Sequence, residues 1–183
     1  MIGKMLKICV AAIAVVSICT PILAADLVDN PRYQSWAKYK PGTFVKMDLS
    51  TGPMKSSKTT TLMEVTPGRV MLEVKTSMPI LGVAPQEKVT AIVEPARIEA
   101  ANIKPTNPEQ MPNCKVTDKG TEDLKIGDRI YRCNWYEMEM EQQGAKFNTK
   151  YWICDELPDK LIKSETKMSM NSSMILAEFK IVK

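Results

Sequence analysis

From residue 43 onward, apolar and polar side chains alternate with a period of two, the spacing of strands buried on one face. In residues 43–49, Val45, Met47 and Leu49 share one face, and Phe44, Lys46 and Asp48 share the other. Residues 58–66 carry Leu62, Met63 and Val65 in a Thr-rich run, Pro67-Gly68 makes a turn, and residues 70–77 return. Residues 88–93 (KVTAIV) read as a further strand. Residues 94–113 hold Pro95, Pro105, Pro108 and Pro112 and read as a long loop or an edge crossing. Gly127-Asp128 marks a hairpin turn within residues 124–131. Residues 129–141 and 145–154 form a second hairpin, and residues 161–170 and 174–182 a third, joined by Asn171-Ser172-Ser173. One helix stands before them. Asn30 supplies an N-cap, Pro31 the first helical position, and Pro41-Gly42 the end, with Tyr33, Trp36 and Ala37 on one face. The pattern predicts a mainly β fold of about nine strands. They make a single antiparallel meander sheet, curved into a half-barrel or barrel, with a short N-terminal helix.

The register of the central hairpin follows from matching faces. Tyr136, Met138 and Met140 alternate with Trp135, Glu137, Glu139 and Glu141, while Phe147, Thr149 and Tyr151 alternate with Lys146, Asn148, Lys150 and Trp152. Pairing apolar with apolar sets Met140 opposite Phe147 and Tyr136 opposite Tyr151. The same register sets Glu141 against Lys146, Glu137 against Lys150 and Trp135 against Trp152. A slip of one residue would oppose Tyr136 to Lys150. This register also puts Cys133 opposite Cys154. A disulfide between them is predicted, with Cys114 to one of the two as the next choice.

The first 25 residues change the picture most. Lys4 and Lys7 precede the apolar run 8–18, Thr20 and Pro21 break it, and Leu23-Ala24-Ala25 offers small residues for cleavage. This reads as a secretory signal peptide over residues 1–25, followed by one β domain over residues 26–183. The run is too short to anchor in a bilayer, and Ile18 before Cys19 is bulky where a lipidation signal wants a small residue. The predicted location is the periplasm or the extracellular space. After cleavage no transmembrane span remains, and the net charge falls from +4 to +2 with the loss of Lys4 and Lys7. Lys and Glu are interspersed without a basic block, so nucleic acid is not an expected partner.

Histidine is absent, which removes His bases, Ser-His triads, Cys-His dyads and His metal ligands together. Glu137, Glu139 and Glu141 lie two apart beside Lys partners, the pattern of a solvated strand face. No phosphate-cradling glycine loop or exposed nucleophile motif occurs. The expectation is a protein that is not an enzyme and needs no cofactor or metal. Methionine is frequent, with 13 in the chain. Met138-x-Met140 and Met168-x-Met170 each place two thioethers on one strand face, a donor type that selects Cu(I). The competing reading is that methionine fills irregular core gaps and adaptable apolar grooves.

Two stretches carry a resemblance. Trp152, Asp155, Pro158 and Lys160 to Lys163 lie in YWICDELPDKLIK, and Trp36 is followed by Lys40-Pro41-Gly42-Thr43-Phe44-Val45. Together they resemble uncharacterised secreted bacterial families of planctomycete type, distantly similar to periplasmic lipoprotein-carrier-like half-barrels. The resemblance implies a curved antiparallel half-barrel whose concave face holds acyl chains. The functional expectation is an exported non-enzymatic binding protein of the cell envelope. Its partner would be an apolar ligand, a lipid or an envelope protein, met by Met138, Met140, Phe147 and Tyr151. The alternatives are a structural envelope protein without ligand and a Met-rich Cu(I) binder.

Overall fold

The computed structural model describes residues 26–80, 83–103, 105, 107–142, 145–167 and 171–182. The signal-peptide reading of residues 1–25 and the Met168-x-Met170 pair lie outside the described residues. The elements in chain order are β1 (Leu27–Asp29), α1 (Pro31–Trp36), β2 (Phe44–Thr51), β3 (Met54–Thr66), β4 (Arg69–Ile80), β5 (Val83–Pro95) and β6 (Arg97–Glu99). Two 3₁₀ turns follow, Ala100–Asn102 and Pro108–Gln110. The chain then continues through β7 (Cys114–Ile126), β8 (Arg129–Gln142), β9 (Ala145–Ile153), β10 (Leu161–Lys167) and β11 (Ser172–Lys180).

Nine strands form one sheet in the order β5-β4-β3-β2-β11-β10-β9-β8-β7, with every neighbouring pair antiparallel. Each half is a meander. The last strand, β11, pairs with β2 and joins the two halves. The sheet is open, with β5 and β7 at its edges, as a half-barrel requires. β1 and β6 pair separately. Register shifts interrupt the ladders at Leu62/Glu64, Met78/Ile80, Val116/Asp118, Leu161/Lys163 and Leu176/Glu178. An inserted residue bends its strand and raises the local twist, so five such breaks let a long-stranded sheet curl.

The helix obeys its caps. Asn30 accepts from the Arg32 N–H, and Pro31 occupies the first turn, where its missing donor costs nothing. Six residues cannot hold a helix alone, so its position rests on tertiary contacts. Trp36 is wholly buried in a core with Val45, Leu62, Val70, Leu72, Ile162 and Leu176. We call the sheet face that α1 covers the inner face. Arg32 of α1 meets Glu94 of β5 at 2.6 Å, and Glu94 shares its face with Val70, Leu72 and Leu62 through the ladders.

The sequence reading differs from the structure at three places. Residues 114–123 are strand, although the polar run KVTDKGTED hides the alternation; in β7 one face is partly buried and the other exposed. The proline-rich segment 94–113 contains β6 and both 3₁₀ turns within the connection from one sheet edge to the other. β11 begins at Ser172, so the predicted turn residues Ser172 and Ser173 lie in a strand opposite Thr51 and Ser50.

Candidate functional site

Register carries the inner face across the sheet. Leu49 opposes Met174, Met174 opposes Ser164, Ser164 opposes Tyr151, and Tyr151 opposes Tyr136. Along β8 and β9 the same face holds Met138 opposite Thr149 and Met140 opposite Phe147. The pairing is the one that the sequence predicts, down to Glu141 against Lys146 and a Glu137–Lys150 ion pair at 3.2 Å. All four predicted residues, Met138, Met140, Phe147 and Tyr151, therefore share a face.

Their exposure differs. Met138 is 1% exposed and its partner Thr149 is 3% exposed, with the Thr149 hydroxyl bonded to that of Thr166 at 3.0 Å. Met140, Phe147, Tyr151 and Tyr136 are half-buried. Burial pushes the Tyr151 phenol above its ordinary pKa. The 3₁₀ turn at Pro108 packs on β7, and Glu109 of that turn holds Lys119, the cross-strand partner of Tyr136, at 2.5 Å. Met140 borders a depression of about 600 Å³ with Cys114, Lys115, Glu139, Glu141 and Lys146. Cys114 lies directly opposite Met140, while Val116 lies opposite Met138.

The opposite face of the same strands changes character along its length. Glu137, Glu139 and Glu141 are exposed, as predicted for a solvated face. Beyond them Trp135 opposes Trp152, and Trp152, Cys133, Cys154 and Tyr131 are buried in the same core cluster as Trp36. Lys150 lies over Trp135 at 3.9 Å, Lys163 over Trp152 at 4.5 Å, and the Trp152 indole donates to Glu122 at 3.0 Å. On its other side Trp135 lies against Gly120, where an added Cβ would stand 2.8 Å from the indole. Gly120→Ala is therefore expected to cost about 1–3 kcal/mol by overpacking. A denaturant midpoint unchanged from wild type would show that the indole simply moves aside.

The predicted Cys133–Cys154 disulfide is corrected: both cysteines, and Cys114, are free thiols. The two thiols of the pair do meet, within hydrogen-bonding reach of each other. Burial pushes the Cys133 thiol up to about 12 and raises that of Cys154. A water-soluble alkylating reagent is expected to label Cys114 in the native protein and all three thiols in denaturant. Equal labelling of Cys133 in the native protein would contradict the burial.

A second cleft, missed by the sequence reading, has a volume of about 640 Å³ between α1, residues 98–103 and the 155–160 turn. Polar bonds across it hold the two halves of the sheet. Tyr33 donates to the Thr66 carbonyl at 2.9 Å, and Arg32 meets both Glu94 and Asp159. Trp36 donates to Asp159 at 3.0 Å, Tyr39 to the Glu156 carbonyl at 2.9 Å, and Ser35 to the Pro158 carbonyl. The only advance signs were Asn30-Pro31 and the YWICDELPDKLIK stretch, whose turn residues form one wall. Among the described residues no cluster of three or more His, Cys, Asp or Glu is arranged to hold a metal. No helix among them is long and apolar enough to cross a membrane, which leaves membrane-crossing strands unaddressed.

Comparison with known proteins yields distant structural matches only. No family model matches the chain, and no curated protein matches it. A Bacteroides fragilis protein with a YmcC-like fold, inferred to be exported, aligns with a TM-score of 0.43 and 11% identity, over 86% of this chain and 100% of its own. A Parabacteroides distasonis protein, inferred to be a lipoprotein, aligns with a TM-score of 0.43 and 12% identity, over 78% of this chain and 96% of its own. Neither neighbour is of planctomycete origin, and at that similarity neither bears on activity.

Proposed function

We propose that this chain is an exported, non-enzymatic binding protein of the cell envelope. Its inner face, at the end away from α1, receives an apolar ligand or the apolar part of a protein partner. One observation carries the reading. Tyr136, Met140, Phe147 and Tyr151 share one strand face and remain half-exposed around buried Met138, while Tyr131, Cys133 and Trp152 on the other face of these strands join the main core. Flexible thioethers beside aromatic rings suit an adaptable apolar site. Export rests on the charged start, the apolar run and the small residues at 23–25. The absence of histidine removes imidazole acid–base chemistry.

The test uses Met140→Lys with a fluorescent long-chain fatty acid as probe. Met140 is half-exposed, so the lysine ammonium reaches water and the fold survives. Probe binding is expected to weaken about tenfold or more. A wild-type protein that ignores the probe, or a folded variant that binds it equally well, supports a structural envelope role without ligand. Cys114 opposite Met140 favours the soft-metal alternative. A stoichiometric, sub-micromolar Cu(I) complex lost in Met138→Leu/Met140→Leu would replace the apolar-ligand reading.

A further inference from the structure

Among the described residues, no strand pairs with the outer edge of β5. β5 pairs, among the described residues, only with β4, and every residue from Gln86 to Ala91 is exposed, whichever face its side chain takes. Long edge strands are templates for further pairing unless charge, bulge or cover blunts them. No register shift interrupts the ladder from Arg69–Pro95 to Met78–Gln86. On the outer face Val89 and Val93 are each 53% exposed, and Val93 continues into Met71, its partner on β4. A run of exposed valine on a free edge is the pattern that most soluble proteins avoid.

We propose that the β5 edge pairs with the β5 edge of a second copy of this chain, antiparallel about Ala91. The register comes from the sequence of the edge. A two-fold axis through the sheet keeps side chains on their own faces only when a residue of β5 sits on the axis. Centring on Ala91 sets Val89 against the second copy's Val93, Thr90 against its Ile92, and Lys88 against its Glu94. Both valine pairs become cross-strand contacts, and both lysines meet a carboxylate. Centring on Thr90 would oppose Lys88 to Ile92 and Glu87 to Val93, and centring on Val89 would oppose Val93 to Pro85 and Ala91 to Glu87, losing the Val89–Val93 and Lys88–Glu94 pairs. The pairing stops at Glu94 because Asn30 already occupies the Pro95 carbonyl at 2.9 Å. Arg32 also holds Glu94, so Lys88 adds a second cation to a carboxylate that is already placed. One strand pair buries less than a large obligate interface, so the dimer is a reversible one.

The test separates this register from any other self-association. Val89 and Val93 are exposed, so charged residues there leave the fold intact. In Val89→Glu/Val93→Glu, like charges face each other twice, and sedimentation velocity is expected to show dimerisation weakened about tenfold or more. In Val89→Glu/Val93→Lys, each glutamate faces a lysine, and dimerisation is expected to return toward wild type. Amide exchange in the wild type is expected to slow over residues 87–93 as concentration rises. Three results would overturn the proposal: a wild type that stays monomeric to millimolar concentration, a Glu/Glu variant that dimerises like wild type, or a Glu/Lys variant as weak as Glu/Glu.

Discussion

Met138→Lys is expected to unfold the domain. Met138 is 1% exposed on the inner face, opposite Val116 on β7 and Thr149 on β9. Neither partner is a carboxylate. The Thr149 hydroxyl is already engaged with Thr166, while Glu137 and Glu139 point to the other face. A lysine there loses the packing of a thioether and buries a charge with no partner. The cost is about 4 kcal/mol or more, a large share of the roughly 5–15 kcal/mol that holds an ordinary domain folded. Met138→Leu, which keeps volume and apolarity, should lose less than about 1.5 kcal/mol. Circular dichroism and urea melts compare the two. A Met138→Lys protein that melts like wild type would mean that this part of the inner face is wet, and that Met138 belongs to an open groove. Met140, two residues along and half-exposed, should tolerate the same change. The contrast between neighbouring positions is the sharpest measure of where core ends and surface begins.

Trp36→Ala should be nearly as costly. Trp36 is wholly buried and is the central packing residue of a helix too short to persist alone. Its removal leaves a large cavity, and aromatic-to-alanine changes in cores cost about 3–5 kcal/mol. It also takes away the indole N–H bond to Asp159, although Arg32 still reaches that carboxylate at 3.3 Å. For a domain of this size the melting temperature should fall by roughly 10–15 °C. The helix bonds to the Thr66 turn and Glu94 on one half of the sheet and to Pro158 and Asp159 on the other. Amide exchange should therefore quicken at both places together. A loss below about 1 kcal/mol, or quickening on one side only, would show that the helix is not the brace between the halves.

The hairpin from β8 to β9 was legible because charge and apolarity agree on one register: Glu137 with Lys150, Met140 with Phe147, Trp135 with Trp152. The helix start was legible because Asn30 and Pro31 act within two residues of themselves. The first part of β7 was not, because residues 117–123 are polar or glycine on both faces and carry no apolar alternation. The burial of Cys133 and Trp152 was hidden for another reason. What covers them includes the turn after β9, where Leu157 is buried and the Lys160 carbonyl accepts from the Cys154 N–H at 2.7 Å.

By itself the sequence determined what depends on near neighbours in the chain. Alternation set strand faces, Gly127-Asp128 and Pro67-Gly68 set turns, cross-strand charges set the central register, and missing histidine narrowed the chemistry. Only the tertiary structure decided the strand order, because the pairing of β11 with β2 joins residues more than 120 apart and leaves no local signal. It also decided which end of the inner face α1 covers, through Glu94, Thr66 and Asp159 meeting around one helix. The difference between buried Met138 and half-exposed Met140 belongs to the same class. Both have the same residue type and the same face, and only what the rest of the chain brings over them sets their solvent contact.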